Sequence, residues 1–311
     1  MEIVSSQDAA QNMAPSLNTA VKGKEPLRLA AVYGPSYEAL TVLGVEDRIV
    51  VRADVQTDDF PWAERVFKRI SDIPALDNVH TAVNIEELMK YNPDMVYTFP
   101  RNNELSQLEK AGIPAIAGTS TKHLSDVKEQ LMEYAETLNQ DAVDRATAYG
   151  AYFDEKLKYV TDITDKISEE ERPKVYYAGV DILTTYGEYS DIPEVIEAAG
   201  GIAVSKDLKA GSRTQIDQEQ FLAWNPDYIF IDHGGMNGGK TAAEIREGLY
   251  KQKNLQKVEA VKQKQVYLSP SGVFYWDMGL QKILLVMQMA QIHIGRSLRD
   301  MDMERGNGIL H

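Results

Sequence analysis

The side chains best placed to do chemistry in this sequence stand just beyond short apolar runs. Tyr33 stands at the end of LAAVYG and Tyr37 just after it, Arg101 follows DMVYTF, and Tyr186 follows KVYYAG. His233 follows DYIFID, Tyr275 and Trp276 follow KQVYLS, and Arg213 sits in the polar loop KAGSRTQ. An arginine offers a planar fork of donors that matches carboxylate, catecholate or oxyanion oxygens. Tyrosine and tryptophan add broad faces at low entropic cost, with one polar atom to fix orientation. Carboxylates are sparse in this inventory. It suits an anionic, planar or chelated ligand better than a bare divalent cation, which needs several converging His or carboxylates. Of five histidines, only His233 stands in a loop at a strand end. His80, His123 and His293 read as ordinary surface or core residues, and Phe60 and Trp62 read as core at least as readily as a lid.

Other chemistries find little support. HGGMNGGK lacks the spacing of a phosphate-binding loop, and no GxGxxG follows the first apolar run. No GxSxG elbow accompanies the HGG stretch, so it does not read as an oxyanion hole. The chain has no cysteine, which removes disulfides, thiolate metal sites and Cys nucleophiles. A net charge of −14 argues against nucleic acid and against an anionic lipid surface. No apolar run approaches the ~20 residues that span a bilayer.

The elements that must position these residues alternate. Apolar runs at LRLAAVYG, DRIVVR, DMVYTF and IPAIAG read as strands, separated by helical stretches such as NIEELMKY and NNELSQLEKAG. This is the signature of a parallel sheet covered by helices. From Ser125 to Ile167 no strand signal appears. Instead Val143, Ala146, Tyr149, Phe153, Leu157, Val160, Ile163 and Ile167 keep helical spacing. A helix over 141–168 would run about 40 Å. After Pro173 the alternation resumes, closing with a helix from Asp277 to Leu298. One phrase occurs twice, EELMKYNPDMVYTF and EQFLAWNPDYIFID, once on each side of the long helix. The expected division is a flexible leader over 1–25, an α/β lobe over 26–140, the connecting helix over 141–168, a second α/β lobe over 169–298 and a tail over 299–311.

Segments in this order resemble the periplasmic binding proteins of metal-chelate ABC importers, the group serving iron-siderophore, haem and cobalamin complexes. RLAAVYGPSYEALTVLGVEDRIV, NIEELMKYNPDMVYTF, LEKAGIPAIAG, the long helix, IEAAGGIAV, IDQEQFLAWNPDYIFID and VYLSPSGVFYWDMGLQKILLVMQMAQIH carry the resemblance, over about 27–293. It implies two lobes of parallel-type sheet with flanking helices, joined by one rigid helix, with ligand held in the cleft between them. It also implies an extracytoplasmic protein that delivers its ligand to a permease dimer and catalyses nothing; any tie to the membrane would be through an N-terminal lipid anchor that is not in this sequence.

In that family a surface glutamate on each lobe pairs with permease arginines. Glu86 and Glu219 each lie six residues before the repeated Asn-Pro-Asp and fit the role, with Glu87 a near substitute. No intrinsic cofactor is expected. The favoured ligand is an iron-siderophore or similar chelate, with His233 and Tyr275 filling open positions on the iron. Haem, cobalamin and a molybdate- or tungstate-type oxyanion remain alternatives; an enzyme or a pure interaction module is remote. The unbroken stripe on the long helix predicts only small closure on binding.

Overall fold

The structure is a computed structural model that describes residues 25–54, 60–118, 121–179, 181–233 and 240–294. The expected leader before residue 25, the tail over 299–311 and the glycines after His233 lie outside the described residues. The first lobe contains β1 (Leu29–Ala31), α1 (Gly34–Val42), β2 (Ile49–Ala53), α2 (Ala63–Val66) and β3 (Ala75–Leu76). It continues with α3 (Ile85–Met89), β4 (Met95–Thr98), α4 (Asn102–Lys110) and β5 (Ala115–Ala117). Its strands lie in the order β3-β2-β1-β4-β5, and every pair is parallel. Such a sheet is covered on both faces, which is why β1 and β4 are buried at every residue and read as continuous apolar runs.

Helices α5 (Asp126–Glu136) and α6 (Gln140–Thr164) then leave the first lobe. Asn139 caps α6 by accepting from the Ala142 N–H at 2.9 Å. Its 25 residues span about 37 Å. Ala142, Ala146, Tyr149, Phe153, Val160 and Thr164 form its buried stripe. The helix stops short of the expected residue 168. Arg172 turns back to donate to the Thr164 carbonyl at 2.8 Å, and Ser168 with Glu171 opens a separate short turn.

The second lobe contains β6 (Lys174–Ala178), β7 (Thr184–Thr185), α7 (Ile192–Ala198), β8 (Ile202–Ala203), β9 (Thr214–Gln215) and α8 (Gln218–Trp224). After these come β10 (Tyr228–Ile231), α9 (Ala242–Lys251), α10 (Glu259–Lys262), β11 (Val266–Leu268) and α11 (Lys282–Ile294). Its sheet runs β11-β10-β6-β7-β9, with β8 beside the start of β6. Strands β7 and β9 are antiparallel additions at the carboxyl end of β6. At two residues each they are too short to leave a periodic signal in the sequence.

The repeated phrase has a backbone explanation. Asn92 (φ +45°) and Asn225 (φ +42°) both adopt the left-handed conformation that ends a helix, a region Asn tolerates better than most residues. A proline follows each, and then an aspartate ties down the first strand of its lobe. Asp94 accepts from the Leu27 and Arg28 N–H groups, both at 3.0 Å, and Asp227 accepts from the Lys174 N–H at 2.8 Å.

The largest core cluster crosses between the lobes, running from Leu29 and Leu40 through Tyr149 and Phe153 to Leu285 and Met289. Leu280 clasps the seam. Its N–H donates to Glu38 on α1 at 3.0 Å, and its carbonyl accepts from the Tyr149 hydroxyl on α6 at 2.8 Å. Next to it, Lys282 is ion-paired with Asp191 deep inside the protein and donates to Thr121 at 3.0 Å. The final helix begins at Lys282 rather than Asp277, because Gly279 (φ +65°) turns the chain and frees Asp277 for the opposite face. No helix among the described residues is long and apolar enough to cross a membrane.

Candidate functional site

The carboxyl ends of the second-lobe strands gather a compact polar group. Tyr186 leaves β7 and Arg213 enters β9, and the pairing of Thr185 with Thr214 sets them side by side. Asp232 and His233 leave β10, and Asp277 arrives from the segment after β11. The Tyr186 hydroxyl donates to Asp232 at 2.7 Å. Arg213 donates to the same carboxylate oxygen, with Nε at 3.3 Å and Nη2 at 3.2 Å. That Nη2 also lies 3.1 Å from His233 Nε2, while His233 Nδ1 lies 2.9 Å from Asp277 Oδ2. Asp277 further accepts from the His233 backbone N–H and from the Tyr177 hydroxyl, each at 3.2 Å. The Tyr275 ring stacks on the imidazole with centroids 4.0 Å apart.

Nδ1–H donates to Asp277, and in the neutral ring the Nε2 lone pair accepts from Arg213. Burial and the neighbouring charge of Asp277 push the Asp232 carboxyl above its ordinary range. Burial opposes ionisation of Asp277 as well, but the charge and hydrogen bonds of His233 outweigh it and hold Asp277 below the usual value. His233 is the mirror case, with burial pulling its pKa down and Asp277 raising it on balance. Arg213 is likewise driven upward, against the effect of burial, by Tyr186 and Asp232.

The first lobe supplies the opposing wall, organised around Phe99. Tyr33 meets that ring edge-on at 5.1 Å, His80 does so at 5.5 Å, and the Arg101 guanidinium lies 4.3 Å above it. Tyr33 fits only because Gly118 carries no side chain, since a Cβ there would lie 2.2 Å from its ring. Burial lowers the His80 pKa, and the charges of Arg101, Arg213 and His233 lower it further, so the two walls are within electrostatic reach. Phe60 then touches Tyr275 edge-on at 4.7 Å. Trp62 lies against Gly272 and donates its backbone N–H to the Gly272 carbonyl at 3.2 Å.

Of the residues expected from sequence, Tyr186, Arg213, His233 and Tyr275 come together, and Tyr33 and Arg101 sit on the facing wall. Arg101 is engaged within its own lobe, by Glu104 at 2.6 Å and by the Val79 and His80 carbonyls at 2.8 and 2.7 Å. Tyr37 is not brought to the group; it packs on Phe67 and donates to Glu46 at 2.9 Å. Trp276 is 8 % exposed and belongs to the main core. Glu86 and Glu219 are exposed in the first turns of α3 and α8, one on each lobe.

The inventory of sparse carboxylates is corrected here. Asp232, His233 and Asp277 place ligand-type atoms within 4.8 Å of one another. Both aspartates had read as ends of regular elements, Asp232 closing a strand and Asp277 opening a helix. The signal available was an aspartate beside each flagged residue, Asp232 before His233 and Asp277 after Trp276. His80 gave no signal beyond its residue type, because its place depends on the loop between β3 and α3.

A family model described as periplasmic binding protein matches residues 29–272, and the chain belongs to that family. Its members are extracytoplasmic substrate-binding proteins that work with ABC-transporter permeases. The chain is 24 % identical over 216 residues to the vitamin B12-binding protein of Vibrio vulnificus, covering 66 % of this chain and 71 % of that one. A periplasmic solute binding protein from Veillonella parvula is similar at 25 % identity with a TM-score of 0.69, over 89 % of this chain and 85 % of that one. The Helicobacter pylori protein CeuE, crystallised as a Ni-His complex, shares the fold with a TM-score of 0.75 and 19 % identity, over 92 % and 88 % of the two chains.

Proposed function

We propose that this protein captures a metal chelate, foremost an iron-siderophore complex, between its two lobes and hands it to a permease dimer without chemical change. The observation that carries this reading is the state of His233. Its Nδ1–H is bound to Asp277 and its ring is stacked on Tyr275, so Nε2, which now lies 3.1 Å from Arg213 Nη2, is the nitrogen left to serve a metal. Metal-binding histidines are oriented in this way by a carboxylate on the other nitrogen. Arg213 supplies donors for anionic oxygens of the chelator, Tyr275 and Tyr186 supply faces and hydroxyls, and Tyr33 and Arg101 close from the first lobe. Glu86 and Glu219 dock the lobes to arginines of the permease. The protein works outside the cytoplasmic membrane.

The cobalamin reading has its own support in the vitamin B12-binding relative. A tetrahedral oxyanion is disfavoured, because two buried carboxylates would face it. The deciding experiment is a calorimetric titration with catecholate and hydroxamate iron complexes, haem, cobalamin and molybdate. An iron chelate saturating near one-to-one, and weakening in His233→Ala, supports the proposal. Saturation by cobalamin or molybdate alone overturns it.

A further inference from the structure

The group at the carboxyl ends of β6 and β10 holds more negative charge than an anion site needs. Asp232 is fully buried and Asp277 nearly so, and the Arg213 guanidinium is ion-paired with Asp232. Removing charge from water is costly, so two buried carboxylates side by side imply a strong local demand for a cation. Arg213 meets that demand in an unusual posture. Its Nη2 lies at the same time 3.1 Å from His233 Nε2 and 3.2 Å from Asp232 Oδ2. Imidazole nitrogen and carboxylate oxygen are the donor atoms of a divalent or trivalent metal site. A guanidinium N–H therefore sits where such an ion would sit.

Further features separate this arrangement from an ordinary structural ion pair. The Arg213 backbone adopts φ +53°, a left-handed conformation that a long side chain rarely takes. Its side chain remains 31 % exposed while that of Asp232 is at 0 %, so the arginine has a way out and the carboxylate does not. Its stem passes Gly179, where an added Cβ would lie 3.3 Å from the Arg213 Cγ.

We propose that Arg213 is a placeholder cation: it occupies the metal seat until a chelate arrives, then swings aside, and Asp232 joins His233 as a ligand to the metal. This rests on the chelate reading and deepens it. It describes a cargo whose metal is coordinatively unsaturated, since the protein contributes both a nitrogen and an oxygen donor. The exchange is of one cation for another: the guanidinium leaves Asp232 and Nε2, and the metal takes its place with no electron transferred. The displaced guanidinium is then available to the anionic oxygens of the chelator.

The test uses bare Ni(II), without any chelator, titrated calorimetrically into the full chain. Arg213→Met and Arg213→Gln vacate the seat, and each should bind one equivalent of nickel at least about tenfold more tightly than the parent, by the scale on which metal sites respond to neighbouring groups. Arg213→Lys keeps a cation near the seat and should gain much less. Adding Asp232→Asn to Arg213→Met should abolish the gain, while circular dichroism reports whether each variant is folded. Folded Arg213 variants that bind nickel no better than the parent overturn the proposal, as does a gain that survives Asp232→Asn. A nickel gain alongside a chelate panel in which no complex binds would overturn the cargo assignment and leave the seat supported.

Discussion

His233 Nδ1 and Asp277 Oδ2 lie 2.9 Å apart, and that contact leaves Nε2 as the imidazole nitrogen turned to Arg213. An amide in place of the carboxylate can present either an oxygen or an NH2 group, so it no longer enforces Nδ1–H. Asp277→Asn should therefore weaken binding of the metal chelate by about 10–100-fold. The check is calorimetry with the tightest complex of the panel. Unchanged affinity would mean that His233 does not face the metal through Nε2.

Two buried groups set opposing pH dependences of stability. Burial raises the Glu38 carboxyl from 4.5 to about 7, although Leu280 and Gln281 both donate to it. The folded chain then holds a proton that the unfolded chain has lost, so this contribution is full below pH 4.5 and fades as pH rises through 7. His293 behaves in the reverse sense: burial lowers it from 6.5 to about 4, so its contribution fades as pH falls through that window. The stability gained in Glu38→Gln over the parent should grow between these limits of pH 4.5 and 7, towards an order of 3 kcal/mol. The gain in His293→Phe should grow as pH falls. Urea melts across the range read both, and parallel pH profiles in variants and parent would refute the assignment.

Lys282 and Asp191 form an ion pair at 3 % and 5 % side-chain exposure. Lys282→Met alone strands a buried carboxylate and should cost about 3–5 kcal/mol. Adding Asp191→Asn should recover a large part of that loss. Additive losses in the double variant, measured by urea unfolding, would mean that the pair is not the reason.

Closure on binding should be small. The core cluster crosses the lobes through α6 and α11, and Leu280 bonds to both α1 and α6, so a wide rotation would have to break packed apolar contacts. Small-angle scattering with and without a saturating chelate should give nearly the same radius of gyration. A clear contraction would show that the seam yields.

Much of the layout was legible because its causes are local. The runs ending in DMVYTF and DYIFID are continuous apolar stretches because parallel strands are buried on both faces. The spacing from Val143 to Ile167 announced the long helix, and Ala146, Tyr149, Phe153 and Val160 of that series are among its buried residues. Even the repeated Asn-Pro-Asp carries a local reason, a left-handed Asn before a proline, with an aspartate that caps a neighbouring strand. His233, Arg213, Tyr186 and Tyr275 were legible as candidates because they follow apolar runs.

The charge balance of the site was decided elsewhere. Asp232 and Asp277 are 45 positions apart by their numbers, and they meet only because β10 and the segment after β11 end at the same edge of the sheet. Arg213 reaches them through β7 and β9, strands of two residues each that have no periodicity to read. Tyr37, equally promising by position, turned inward to Glu46 because the pitch of α1 put it on the core face. The sequence by itself determined two α/β lobes, a long helix and a set of polar loops, since these follow from hydrophobic pattern and turn chemistry within short windows. Only the tertiary structure decided which polar groups share one buried space, because desolvation and charge pairing depend on neighbours that the chain brings together from far apart.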